Sequence, residues 1–259
     1  MKKMPVLFVG HGSPMNAVEE NEFVEEWRSL AQKMPRPKAI LSVSAHWYTE
    51  GTRVMTSEAG ETIYDMYGFP KELYDITYPA KGAPELAKNV MKLISREVLA
   101  DNSWGLDHGT WSVLHRIYPQ ADIPVFQLSV DRYASAEEHY QIGQQLAVLR
   151  EQGVLIFGSG NVVHNLARVD WSMERSGYPW AEEFDQYITE NIRKQEDKAL
   201  VGYEQAGRAA DLAVPILDHY APLLYVLGAS DADDQLTIFN QACVLGSLSM
   251  TGYLFGAAV

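Results

Sequence analysis

The 259-residue chain contains a single cysteine, Cys243, which excludes an intramolecular disulfide, a thiolate zinc cluster and any CxxC redox motif. It is also short of positive charge, with 21 Lys and Arg against 34 Asp and Glu and a formal net charge of −13. That balance argues against a nucleic-acid or anionic-membrane partner, both of which need a basic face. No apolar stretch approaches the roughly 18 residues of a membrane span. The opening MKKMPVLFVG sets two lysines ahead of an apolar run, but the run is too short for the core of a secretory signal and has no small-residue cleavage site. The expected location is the reducing cytoplasm. No repeat, low-complexity tract or linker breaks the chain, so residues 1–259 read as one domain.

What the sequence does have is a series of short apolar runs: VLFVG (6–10), AILSVSA (39–45), IPVFQLSV (123–130), VLIFGSG (154–160) and LLYVLGA (223–229). Near-continuous hydrophobicity, without strict alternation, marks strands covered on both faces. Helical periodicity fills the gaps. Residues 20–34 put Phe23, Trp27, Leu30 and Ala31 on one face, 83–97 do so with Leu86, Val90, Leu93 and Ile94, and 135–151 and 181–196 behave alike. The expected fold is α/β, with a central, largely parallel or mixed sheet flanked by helices on both faces. LTIFN (236–240) and GSLSMTGYLFG (246–256) read as added antiparallel edge strands, and the stretches near 168–180 and 200–211 as surface loops.

Of the seven histidines, three follow a predicted strand: VLFVG leads to His11, AILSVSA to His46, and VLIFGSG through Asn161 to His164. In open α/β sheets, ligands bind in the crevice beyond the carboxyl ends of the strands. Three imidazoles delivered to one edge of one sheet make a metal site, and small neighbours such as Gly12 and Ser13 let a substrate approach. The alternative is that each merely caps a helix or bonds a loop carbonyl. His108 stands in GLDHGTW beside Asp107, where the pair suits an oriented acid/base or hydrogen-bond donor; Asp107 or Thr110 as a helix cap is the other reading. His219, in PILDHYAPLL ahead of the run 223–229, is expected to enter from a loop at the other end. His115 and His139 lie within helices and read as structural or solvent-facing. Imidazole donors without cysteine suit iron(II), zinc, copper or manganese. On zinc, the same face would activate water, as in a hydrolase; a metal held only for structure, in a non-catalytic protein, is a further alternative.

Taken together, VGHGSPMN, SAHW, GLDHGTW, GSGNVVHN and DHYAPLLYVLGA, in this order and spacing, resemble the type III extradiol ring-cleavage dioxygenases, in particular their 4,5-DOPA dioxygenase branch, over essentially the whole chain. The resemblance implies His11, His46 and His219 as metal ligands, with His219 where relatives outside this branch carry a glutamate. It implies His164 as acid/base, close enough to serve as a fourth ligand to a zinc, and His108 with Asp107 as donors to substrate or dioxygen, Ser13 lying near the substrate. The implied partners are a small catechol such as DOPA and dioxygen. Iron(II) is the expected cofactor for activity, and zinc(II) can occupy the neutral site as isolated. The aromatic-rich segment IYDMYGFPKELYDITYP (63–79) would wall a pocket for a planar ring or pack its tyrosines on the surface.

Overall fold

The computed structural model describes residues 3–256. Chain order begins with strand β1 (Val6–Gly10), helix α1 (Glu22–Lys33), β2 (Ala39–Thr49) and β3 (Thr52–Val54). After them come α2 (Lys71–Tyr74), α3 (Pro84–Leu93), β4 (Val98–Ala100), α4 (His108–Ile117), β5 (Val125–Asp131), α5 (Ala136–Leu146) and β6 (Val154–Gly160). The last third holds α6 (Pro179–Lys194), α7 (Asp197–Val201), α8 (Arg208–Ala213), α9 (Ala221–Ala229), β7 (Gln235–Phe239), β8 (Cys243–Val244), β9 (Leu248–Ser249) and β10 (Gly252–Gly256). Eight strands form one mixed sheet in the order β4-β3-β5-β2-β6-β1-β10-β7. Its central four, β5-β2-β6-β1, are parallel, and β10 and β7 extend it antiparallel to an edge. The expected α/β class, and the antiparallel additions near the C-terminus, are therefore what the structure has. Among the described residues no helix is long and apolar enough to cross a membrane.

Helices cover both faces because the strands are apolar on both. Every residue of β1, β5 and β6 is buried. Side chains alternate along a strand: Ser159 faces the start of α4, donating to the Gly109 carbonyl, whereas Gly158 and Gly160 face the start of α9. The parallel register aligns the carboxyl ends, pairing Gly10 with Gly160 and Ser44 with Ser159. Beyond Val43 the register of β2 against β5 shifts before pairing resumes at Tyr48. His46 lies in that irregular stretch, where a bulge re-aims a side chain.

Two expectations are corrected. The run 223–229 is not a strand but most of α9, and every residue of that helix is buried. A helix enclosed all round has no polar face, so its sequence loses the 3.6-residue period that would distinguish it from a buried strand. The stretch 200–211 is not a loop either. It contains the end of α7, a short 3-10 turn at Tyr203–Ala206 and most of α8, whose alanines pack inward.

Candidate metal centre

Five of the seven histidines meet at the carboxyl edge of the sheet. His11 leaves β1 with its backbone N–H bonded to the Gly160 carbonyl (3.0 Å). Its Nε2 lies 3.2 Å from the Nε2 of His46. The other nitrogen of His11, Nδ1, is 3.0 Å from Ser159 Oγ, and that hydroxyl gives its own hydrogen to the Gly109 carbonyl. Ser159 can then only accept, so His11 carries its hydrogen on Nδ1 and presents a bare Nε2 to the centre.

His219 corrects a further expectation: it comes from the loop before α9 at the same end of the sheet as His11 and His46, not from the opposite end. Its ring centroid lies 5.4 Å from that of His11 and 5.0 Å from that of His46. Gly160 makes this possible, because any Cβ there would collide with the His219 carbonyl, the group that accepts the Asn161 N–H at 2.9 Å. Gly109 plays the matching part on the other face, where a Cβ would fall 2.8 Å from His46 Cδ2.

One ring nitrogen each from His11, His46 and His219 lies within 4.8 Å of the others. Metal–nitrogen bonds of about 2.0–2.1 Å place cis ligand nitrogens roughly 3 Å apart, so a small contraction closes the trio on an ion. The fit is supported by His219 itself. It is only 5% exposed, yet neither ring nitrogen has a hydrogen-bond partner among the described residues; Asp218 Oδ1 lies 3.0 Å from Nδ1 but out of line for a hydrogen bond. A buried imidazole without partners is costly unless a ligand takes it up.

His164 stacks flat on His219, centroids 3.4 Å apart and planes within 7°. It stands outside the trio and groups with Asp218 and His219. Its position is set by its N–H bond to the Ala213 carbonyl at the end of α8 and a bridge to Leu248 in β9. On the other flank, His108 opens α4 with its ring 3.8 Å from that of His46. Asp107 is fully buried. It caps α4, accepting from the Thr110 N–H, and also accepts from Ser44 Oγ, Trp104 Nε1 and Gln127 Nε2. The capping reading is the one the structure has, and no part of Asp107 is exposed to meet a substrate. Ser13 is half-buried and caps the 3-10 turn after His11 through the Met15 N–H. His139, by contrast, is enclosed in α5 against the Tyr225 hydroxyl.

Sequence reasoning missed Asp65. Its Oδ2 lies 2.9 Å from His108 Nδ1 and 3.6 Å from His46 Nδ1. The only signal was an acid set among the aromatic residues of 63–79, a segment read for its rings alone.

Burial, reinforced by the neighbouring imidazoles, pushes the pKa values of His11, His46 and His164 well below the usual histidine value; burial also pushes His139 down to about 4. These histidines stay neutral in the folded protein while the unfolded chain takes up protons below about pH 6.5. A depressed histidine pKa therefore means stability lost as pH falls through that range. Asp107 and Asp185 work in the opposite sense, since burial raises both carboxyls, that of Asp185 to about 6, but they are two groups against five, because burial lowers His115 as well. The metal-free protein is expected to lose stability steadily between pH 7 and 5, read as a falling denaturant midpoint. A flat midpoint across that range would contradict the neutral cluster.

Known proteins resemble this chain in sequence and fold. The family model described as the catalytic LigB subunit of aromatic ring-opening dioxygenase matches residues 4–256. A 4,5-DOPA dioxygenase extradiol of Escherichia coli K12 is 46% identical over 98% of this chain and 95% of its own length. One of Beta vulgaris is 36% identical over 96% and 95%. The crystal structure of an uncharacterized protein from Escherichia coli K12 superimposes with a TM-score of 0.86 at 43% identity, covering 98% of this chain and all of that one. With the match running through every strand that delivers a histidine, the chain belongs to the aromatic ring-opening dioxygenases, in their extradiol branch.

Proposed function

We propose that this chain, working as a single catalytic domain in the cytoplasm, opens the ring of a small catechol of the DOPA type with dioxygen, using a metal held by His11, His46 and His219. The observation that carries the reading is the convergence of those three imidazoles, with His164 on one flank and His108 on the other. Iron(II), when bound there, would supply electron exchange between catechol and dioxygen, and zinc would fill the same neutral donor set without doing so. The rest is work for the protein's own side chains. His164 is half-buried and neutral, which suits it to accept a phenolic proton from the arriving catechol and to return it as the ring opens. His108, its Nδ1 engaged by Asp65, can direct Nε2 toward the substrate oxygens or dioxygen, where a hydrogen bond favours developing negative charge. The ring bond broken is the one beside the two hydroxyl-bearing carbons. Both oxygen atoms enter the product, which carries an aldehyde and a carboxylic acid.

The test is oxygen uptake with a panel of catechols after anaerobic iron(II) loading, with zinc as control. The expected result is one dioxygen consumed per catechol and a yellow ring-opened product with iron(II) alone. No uptake with any catechol would overturn the reading, and ester or amide hydrolysis by the zinc form would replace it with a hydrolase.

A further inference from the structure

We propose that Asp65 is a positioning residue for His108, and that it fills the role the sequence suggested for its neighbour Asp107. The inference rests on the proposed function, in which His108 addresses the reacting oxygens.

The carboxylate of Asp65 holds His108 at two points. Oδ1 accepts the His108 backbone N–H at 2.8 Å, and Oδ2 lies 2.9 Å from the ring Nδ1. A carboxylate has no hydrogen to give, so His108 must carry its own on Nδ1. That leaves Nε2 as the atom presented to the substrate. Because backbone and ring are gripped by one rigid group, the side-chain torsions of His108 are fixed along with its tautomer. Asp107 is in no position to do this, since both its oxygens are consumed in the core by Ser44, Thr110, Trp104 and Gln127. The two aspartates have separate roles. Asp107 builds the first turn of α4, and Asp65 aims the ring that turn carries.

Asp65 is itself held from both sides of the His108 loop. The Ile63 N–H donates to the Leu106 carbonyl at 2.9 Å, the Leu106 N–H to the Glu61 carbonyl at 2.7 Å, and Trp111 Nε1 to the Ile63 carbonyl at 2.9 Å. These three bonds lace Glu61 and Ile63, just before Asp65, to Leu106 and Trp111 on either side of His108. The Asp65 side chain is 9% exposed, while Tyr64 and Tyr67 beside it reach solvent. The aimed histidine is thus anchored in the outer wall of the site instead of in the sheet. Partners that orient a functional imidazole typically cost about 10- to 100-fold in function when lost.

The test uses Asp65→Asn, which keeps the shape but offers one acceptor to two N–H groups. In the zinc-loaded, diamagnetic protein, the ¹⁵N ring signals of His108 are expected to show a hydrogen on Nδ1 in the wild type and to lose that fixed pattern in the variant. With iron(II), kcat is expected to fall about 10- to 100-fold, with the catechol KM little changed and metal content equal to wild type. In a His108→Ala background, Asp65→Asn is expected to add almost nothing, because the two residues act through one interaction. An unchanged ¹⁵N pattern, a full second loss in the His108→Ala background, or a matching loss of metal would each overturn the assignment; the last would make Asp65 a ligand. The ring signals need no turnover, so failure of the dioxygenase reading would appear separately, as absent oxygen uptake by the wild type.

Discussion

Replacing His164 by alanine should lower turnover by about 10²- to 10⁴-fold, the usual worth of a positioned acid/base, while leaving the metal in place. The expectation follows from where the ring lies. His164 is stacked face to face on His219, so it sits beside the metal trio without supplying one of its three converging nitrogens. Burial keeps it neutral near pH 7, the form needed to take a proton from a catechol. Losing the stacked ring also removes a neighbour of His219, and the metal content of the purified variant separates that effect from the loss of acid/base chemistry. Metal bound as in the wild type with turnover abolished fits the proton role. Metal lost to the same degree as in His11→Ala would make His164 a ligand, and undiminished turnover would remove it from the chemistry altogether.

Much of this architecture was legible because strand physics and site physics coincide. Runs such as VLFVG and VLIFGSG announce buried parallel strands, and parallel strands align their carboxyl ends. A histidine just past each run therefore had a predictable destination, and His11, His46 and His164 reached it. Legibility ended where a residue's meaning depends on a distant partner or on an environment that erases its pattern. Helix α9 was unreadable as a helix because every side is buried, and with it went the approach direction of His219. That residue's place in the centre was indicated by family resemblance and not by periodicity. Asp65 lies 43 residues before His108, with nothing local to couple them. Asp107 misled for the converse reason: adjacency along the chain suggested a contact, but the first turn of a helix sends the cap inward and the next side chain elsewhere.

His219→Ala should abolish metal binding, and the loss should be visible in stability before any assay of activity. This imidazole is buried with neither ring nitrogen hydrogen-bonded to another described residue, Asp218 lying 3.0 Å from Nδ1 but out of line, and a buried polar group left so costs about 1–3 kcal/mol. Metal binding removes that penalty and adds linkage: an ion at a thousand times its Kd stabilises the folded state by about 4 kcal/mol. For a chain of this size each kcal/mol moves Tm by about 2–4 °C, so metal should raise the wild-type Tm by roughly 10 °C and leave that of His219→Ala unmoved. The metal-free variant should melt close to the metal-free wild type, because truncation trades lost stacking on His164 for relief of the unpartnered nitrogens. His219→Glu provides the fold-competent control. It restores a donor of the kind found in relatives outside this branch, makes the centre monoanionic, and should recover a metal-dependent rise in Tm. A full rise in His219→Ala would mean that the ion is held without His219, and the three-histidine centre would have to be abandoned.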